Sequence, residues 1–137
     1  MTAIQGHILV PGPAATGDSL VLSAPISFWG GIDPRTGRIM DVRHPQHGLE
    51  IAGRVVFLPG TIGSSSASAV LLELIHAGRA PAGLVLHQAD AILLLGLIVA
   101  REMGWKAPIA LRLDRAEHRH FTGRRLSVTA DGLLAAA

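Results

Sequence analysis

Residues 67–113 alternate between helical and extended patterns, and this alternation limits the possible folds more than any other feature of the chain. Apolar residues at positions 67, 70, 71, 74 and 75 lie on one face of a helix predicted over 67–77, which Gly78 ends. A short apolar strand over 83–86, an almost wholly apolar helix over 91–103 and a strand over 108–113 follow. This order favours parallel strands covered by helices. Because the helix over 91–103 is apolar on all sides, we expect it to be buried between other layers.

The first half of the chain has a different pattern, in which short strands are separated by glycine and proline. Strands are predicted over residues 6–10, 19–23, 26–29, 38–42 and 54–58, and a last strand over 124–129 follows the helical half. No repeat, low-complexity tract or linker divides the 137 residues. The sequence therefore predicts one α/β domain over residues 1–137, with a three-layer β/β/α arrangement.

Composition indicates that part of the surface is covered by another chain. Hydrophobic residues make up 49% of the sequence, whereas only 16% are charged and 4% are aromatic. Such a chain can bury a core, which will consist mainly of Leu, Ile, Val and Ala. Since proteins contain about 25% charged residues on average, this chain has little polar surface. We therefore expect a partner chain to cover some of its apolar surface.

Charge and cysteine content exclude several classes of site. Cysteine is absent, which excludes disulfides, a cysteine nucleophile and thiolate-held zinc or iron–sulfur clusters on this chain. The formal net charge is only +2, so nucleic-acid binding is not favoured. The first 22 residues contain no Lys or Arg, unlike a signal peptide. The most apolar run, residues 91–100, is shorter than the ~20 residues of a membrane span, so no membrane association is expected and the expected location is the cytoplasm.

Residues 59–66, Pro-Gly-Thr-Ile-Gly-Ser-Ser-Ser, form the most informative stretch, and we call them the serine loop. They lie between a predicted strand and a predicted helix, whose start exposes unpaired backbone N–H groups and a partial positive charge. Glycine lets such a backbone approach a ligand closely, so the loop favours a site for a carboxylate, a phosphate or a serine alkoxide. One serine is expected to cap the helix, which does not account for all three. The loop lacks the lysine of a Walker A motif, which disfavours nucleotide binding.

Two other stretches could either bind a ligand or stabilise the fold. Phe28 and Trp29 precede Gly30-Gly31, which is consistent with a site wall or with a bulged edge strand. His44 and His47 lie near Asp41 and could suggest a metal cluster. Loop histidines that bond to the backbone are the favoured interpretation, because a metal site requires a specific ligand set and spacing.

Two stretches in the second half have simpler expected roles. Asp90, which follows His87 and precedes a predicted helix, is expected to cap that helix. The arginine-rich run over residues 112–125 is expected to be a solvated edge or a subunit contact, with an RNA-binding patch as the alternative.

Taken together, these residues resemble the small, swivelling-domain subunit of the aconitase X family. The resemblance covers residues 5–113, and the combination of motifs is specific although each motif alone is common. Residues after Leu113 add nothing to it. The matching residues are Ser27-Phe28-Trp29-Gly30-Gly31-Ile32-Asp33-Pro34, Thr36-Gly37, Asp41, His44-Pro45, Gly48, Pro59, Gly63-Ser64-Ser65-Ser66, Ser68, Leu71-Leu72-Glu73, Ala80-Pro81-Ala82, Asp90, Gly96 and Ile98-Val99-Ala100.

The resemblance implies a swivelling β/β/α fold like domain 4 of aconitase, and a hydro-lyase made of two subunits. The larger subunit of this heterodimer would hold an iron or iron–sulfur centre, and no cofactor is expected on this chain. Family substrates are cis-3-hydroxy-L-proline, which is dehydrated to pyrroline-2-carboxylate, and mevalonate 5-phosphate. Abundant Ala, Gly and Arg hint at a GC-rich bacterial genome, which favours hydroxyproline.

The resemblance also implies roles for particular residues. In the aconitase superfamily, a serine of a Gly-Ser-Ser loop in this domain acts as the base, and by position this is Ser64; Ser65 and Ser66 are the alternatives. Aconitase has an arginine where Ser66 stands, so the carboxylate contact of that arginine is not carried over. The expected substrate-binding residues are Gly63, Ser65, Ser66, Trp29, Gly30, Gly31 and Asp33.

Two functions of other classes stay open. A non-catalytic swivelling carrier domain of the phosphohistidine type would need an exposed histidine beside a helix start, for which His87 is the candidate. A structural or RNA-binding protein would use the arginine-rich run, and its binding would depend strongly on salt.

Overall fold

Eight strands form one sheet in the computed structural model, which describes residues 3–137. The strands are β1 (Ala3–Gln5), β2 (His7–Val10), β3 (Ala15–Val21), β4 (Val55–Leu58), β5 (Gly83–Leu86), β6 (Ile109–Arg112), β7 (Arg125–Val128) and β8 (Leu133–Ala136). Their order across the sheet is β1-β8-β7-β3-β4-β5-β6-β2. Strands β3 to β6 are parallel neighbours, which confirms the pairing predicted for the second half, and the other pairs are antiparallel.

The sheet folds over at β3, which is shared by two layers. Residues 15–18 of this strand pair with β7, whereas residues 19–21 pair with β4. On the other side, only Gly6 separates β1, which pairs with β8, from β2, which pairs with β6. The first layer is therefore β1-β8-β7-β3, and the second is β3-β4-β5-β6-β2.

Two longer helices, α2 (Ala67–His76) and α3 (Ala91–Glu102), cover the second layer, and the shorter elements are α1 (Phe28–Gly31), α4 (Arg115–His118) and a 3₁₀ turn (Arg119–Phe121). Helices α2 and α3 approach closely at Gly96, where an added Cβ would lie 3.0 Å from the backbone oxygen of Ser68. A larger residue would push these two helices apart. Within residues 3–137, the helices are too short or too polar to cross a membrane.

Two hydrophobic cores separate the three layers. All four residues of β4 are buried, because alternate side chains point into different cores. One core lies between the two sheet layers and includes Phe57, Val85, Leu111, Phe121 and Leu126. The other lies between the second sheet layer and the helices and includes Val56, Leu58, Leu71, Leu74 and Leu97. This arrangement confirms the predicted β/β/α layers.

Two predicted strands are wrong. Residues 26–29 form a single bridge, from Ile26 to Thr61, followed by the kinked turn α1. Residues 38–42 form only the isolated bridges Ile32–Ile39 and Arg38–Glu50. Single apolar side chains in these stretches are buried although the backbone around them is irregular. The sequence therefore alternates as in a strand, but no continuous strand pairing forms.

The prediction that α3 is buried on all sides is also wrong. Leu93, Leu97 and Ala100 face the core, but Ile92, Leu95 and Ile98 remain 42%, 50% and 48% exposed. The helix lies on the outer face of the sheet, so it is covered on one side only.

The ring of His118 lies in the core between the sheet layers. Its centroid is 5.4 Å from that of Phe57, and its Nε2 is 2.9 Å from the carbonyl oxygen of Leu113. Nδ1 is buried without a hydrogen-bond partner among the described residues. Burial lowers the pKa of His118, although the Leu113 carbonyl partly opposes this effect.

Because the folded state resists protonation of His118, we expect the free energy of unfolding to fall as the pH is lowered. The loss begins near the ordinary histidine pKa of about 6.5 and continues down to the lowered value of the folded state, since only the unfolded chain binds the proton in that range. Replacing His118 with Phe should reduce the loss, whereas replacing the exposed His120 with Gln should not. Urea unfolding at several pH values measures this, and equal pH dependence in His118→Phe and the wild type would contradict it.

Candidate active site

The serine loop is held in place by two neighbouring segments. The backbone N–H of Ile62 donates to the carbonyl oxygen of Ile26 over 3.0 Å. The hydroxyl of Thr61 donates to Oδ2 of Asp90 over 2.7 Å. Oδ1 of Asp90 accepts the N–H groups of the second and third residues of α3, which confirms the predicted cap. The loop therefore has a fixed position relative to both the residue 26 segment and the start of α3.

Ser64 makes the contacts that begin α2. Its Oγ accepts the backbone N–H of Ser66 over 3.2 Å, and its carbonyl oxygen accepts the N–H of Ala67 over 3.2 Å. Ser66 immediately precedes the helix, but its side chain makes no cap hydrogen bond. The expected serine cap of α2 is therefore not observed, and Ser64 instead stabilises the turn that precedes the helix. An N–H donated to Oγ also stabilises the charged form of this hydroxyl.

A cleft of about 640 Å³ brings the aromatic stretch and the serine loop together. Its walls include Trp29 and Gly30 on one side and Ser66 on the other. Trp29 is 61% exposed, and Gly30 has a φ of +81°, which a larger residue would adopt only with strain. Met40 and Glu73 complete the cleft and were not predicted as site residues. The site-wall interpretation of Trp29 and Gly30 is thus consistent with this geometry, although α1 is a turn and not a strand.

A second cleft of about 410 Å³ lies on the α3 side of the serine loop. Thr61 and Gly63 line it together with Asp90 and Ile92. An added Cβ at Gly63 would meet no atom within 4 Å, so this glycine faces open space. Along the chain, Ser64 therefore lies between Gly63, which lines the second cleft, and Ser66, which lines the first.

The other predicted substrate-binding residues have different surroundings. Gly31 is buried, and an added Cβ would lie 2.9 Å from Cγ1 of Ile26, so close packing accounts for it. Asp33 accepts the backbone N–H of Arg35 over 2.9 Å and a further bond from its guanidinium. These bonds hold the pKa of Asp33 below its usual value and stabilise the turn. Ser65 is exposed.

The residues that line the two clefts include negatively charged side chains and no positively charged ones. The negative side chains are the carboxylates of Glu73 and Asp90, and no Lys, Arg or His is among the lining residues. The start of α2 supplies only a partial positive charge. An anionic substrate would therefore need cationic groups from outside the residues that line these clefts.

His44 stabilises its loop, as the favoured interpretation predicts. Its Nδ1 accepts the backbone N–H of Gln46 over 3.0 Å, so Nε2 carries the proton in the neutral ring and donates to the carbonyl oxygen of Ala24, also over 3.0 Å. Within residues 3–137, no three His, Asp or Glu side chains are grouped so that they could hold a metal ion.

The environment of His87 does not match a phosphohistidine carrier. His87 is half-buried, and its Nδ1 accepts the backbone N–H of Arg115 over 3.0 Å. This contact lies at the start of α4 and occupies one of the two ring nitrogens. The arginine-rich run contains α4 and the 3₁₀ turn, and its arginines are exposed, as expected for a solvated edge.

Sequence comparison places the whole fold in one family. The family described as the aconitase X swivel domain matches residues 3–135, so the match continues beyond Leu113, where the sequence motifs end. The cis-3-hydroxy-L-proline dehydratase of Pseudomonas aeruginosa is 46% identical over 116 residues, which are 81% of this chain and 20% of that protein. The phosphomevalonate dehydratase small subunit of Methanopyrus kandleri is 45% identical over 80 residues, which are 58% of this chain and 59% of that subunit. The chain thus spans one fifth of the first relative and about three fifths of the second.

Structural comparison gives the same answer. A chain in the crystal structure of Thermococcus kodakaraensis aconitase X, in its holo-form, matches with a TM-score of 0.85 and 27% identity. The match covers 100% of this chain and 99% of that chain. The chain belongs to the aconitase X swivel-domain family.

Proposed function

We propose that this chain is the small subunit of a two-subunit hydro-lyase that dehydrates a β-hydroxy acid. The observation that carries the proposal is the serine loop, in which Ser64 Oγ accepts the N–H of Ser66 just before α2 and its neighbours Gly63 and Ser66 line two open clefts. The relatives named as dehydratases support the same class of reaction.

The proposed reaction uses Ser64 as the base. As an alkoxide, Ser64 takes the proton from the carbon next to the substrate carboxylate, and hydroxide leaves from the neighbouring carbon as the double bond forms. The N–H of Ser66 and the partial positive charge at the start of α2 favour the alkoxide over the neutral hydroxyl. Ser65, Ser66, Trp29 and Gly30 would hold the substrate beside this base.

Cis-3-hydroxy-L-proline, with pyrroline-2-carboxylate as the product, is the proposed substrate. The relative named for this substrate is 46% identical over 81% of the chain, whereas two phosphomevalonate dehydratase small subunits that match 89% and 93% of the chain are each 33% identical. A phosphate would also add charge to clefts that already contain the carboxylates of Glu73 and Asp90 and no cation. Mevalonate 5-phosphate is the second candidate, because the relative named for it is 45% identical over its matched segment.

The iron or iron–sulfur centre of the family would lie on the larger subunit. The residues of this chain do not fit such a centre, because the sequence has no cysteine and residues 3–137 contain no suitable group of His, Asp and Glu. The heterodimer would therefore divide the reaction, with the base and part of the substrate site on this chain. A location in the cytoplasm is part of the same proposal.

Reconstitution with the larger subunit tests the proposal. The purified complex should convert cis-3-hydroxy-L-proline to pyrroline-2-carboxylate, and mevalonate 5-phosphate should be dehydrated much more slowly. Faster dehydration of mevalonate 5-phosphate would favour the second candidate, and no dehydration of either compound would refute the proposed function.

Replacing Gly63 with Val should raise the Michaelis constant of the complex several-fold with little loss of stability. Gly63 faces the second cleft, where an added Cβ meets no protein atom within 4 Å, and the branches of a valine there would crowd an approaching substrate. Gly63→Ala is the matched control and should have a smaller effect, since it adds only one methyl group. Steady-state kinetics and thermal melts of both variants measure the two effects. An unchanged Michaelis constant in Gly63→Val would indicate that the loop has only a structural role.

A further inference from the structure

Helix α3 carries an apolar surface that no other part of the described chain covers. Ile92, Leu95 and Ile98 follow one another at intervals of three residues and are each between 42% and 50% exposed. The opposite side of the helix is buried against the second sheet layer and α2. Exposed apolar residues that are contiguous on one face mark an interaction surface more often than isolated ones.

This surface is continuous with the candidate active site. Ile92 lines the second cleft beside Gly63, and Ile62 of the serine loop is 56% exposed. At the other end, Ile98 shares a cleft of about 330 Å³ with Leu9 and Pro11. We call the three residues Ile92, Leu95 and Ile98 the apolar band. It contains no charged residue, and the nearest charges along α3 after Asp90 are Arg101 and Glu102.

We propose that the apolar band is the surface on which the larger subunit docks, an inference that rests on the proposed function. A partner that completes the site must reach the serine loop, and the band begins beside it. The clefts beside the loop contain two carboxylates and no cation, so the groups that receive an anionic substrate must come with this partner. In the Pseudomonas aeruginosa relative, the matched segment is 20% of the protein, so this domain is joined there to a chain four times its length.

A second copy of this chain fits the band less well. It would bring the same acidic clefts and would add no cysteine, so pairing two copies would leave the site incomplete. Because the band is uncharged, it repels neither a positively nor a negatively charged partner. Depletion of charge is typical of the apolar centre of an interface.

Substituting lysine for Leu95 or Ile98 tests the docking surface. Both side chains are about half exposed, so the variants should fold, and far-UV circular dichroism with thermal melts verifies this. A buried charge at the centre of the interface should weaken binding to the larger subunit by roughly 30-fold or more, as the loss of one of the few residues that dominate an interface does. Leu133→Lys is the matched control, because Leu133 is exposed on β8 in the first sheet layer, away from the helices, and should bind normally.

The outcomes separate the docking surface from the proposed function. If Leu95→Lys and Ile98→Lys bind the larger subunit as tightly as the wild type and the complex is active, the docking proposal is wrong and the function stands. If the wild type and the larger subunit form no complex, both fail. If the isolated chain is a dimer that Leu95→Lys converts to a monomer, while binding to the larger subunit is unchanged, the band is a contact between copies and the docking proposal is overturned.

Discussion

Replacing Ser64 with alanine should lower the turnover of the assembled enzyme by about 10²–10⁴-fold, the range expected when a positioned base is lost. The hydroxyl that accepts the Ser66 N–H would be absent, and with it the group that is proposed to take the substrate proton. Ser65→Ala and Ser66→Ala should have milder effects. Exchange of the substrate α-proton into deuterated water reports the proton-transfer step separately from the loss of hydroxide.

The turn made by Ser64 requires a control, because losing its hydrogen bond from the Ser66 N–H should also cost about 1 kcal/mol of stability. Asparagine has no hydroxyl, but its side chain can accept the backbone N–H two residues on and so form the same kind of turn. Ser64→Asn should therefore melt close to the wild type but exchange the proton as slowly as Ser64→Ala. If Ser64→Ala retains exchange while Ser65→Ala loses it, Ser65 is the base. Retention of exchange in all three alanine variants would place the base on the larger subunit.

The isolated chain should have no measurable dehydratase activity with either substrate. It lacks cysteine and a described metal-binding group, and both clefts beside the serine loop are open to solvent. Adding the larger subunit in increasing amounts should restore turnover, which should level off at an equimolar ratio. Multiple turnovers by the chain alone, after treatment with a chelator to remove adventitious metal, would contradict the two-subunit proposal.

The helical half of the fold was predictable because each element there has one clear period. The predicted elements 83–86 and 91–103 differ from β5 and α3 by one residue at most. Glycine, proline and Asp90 mark their ends, so local signals and packing agree. The burial of α3 was not predictable in the same way. An apolar sequence shows that a helix face can be covered, but it does not show whether this chain or a partner covers it.

The remaining elements depend on contacts that a local pattern does not contain. Strand β8, Leu-Leu-Ala-Ala, was missed because alanine has a low preference for strands, and its position depends on β1 and β7 at the two ends of the chain. The site shows the same limit. Thr61 and Asp90 are 29 residues apart, and only the folded chain brings the hydroxyl to the carboxylate. Asp90 was recognised as a helix cap, but its second role in holding the serine loop was not.

The pairing of β1 with β8 has a consequence for how the domain can be connected to other chains. Ala3 lies opposite Ala135, so the first and last strands run side by side. A linker attached at either end would leave from the same edge of the first sheet layer. Another domain could thus be fused before β1 or after β8, and in both cases it would be attached at the same side of this domain. Circular permutation through a linker between residues near Ala3 and Ala135 should likewise preserve the fold, because these residues lie opposite each other.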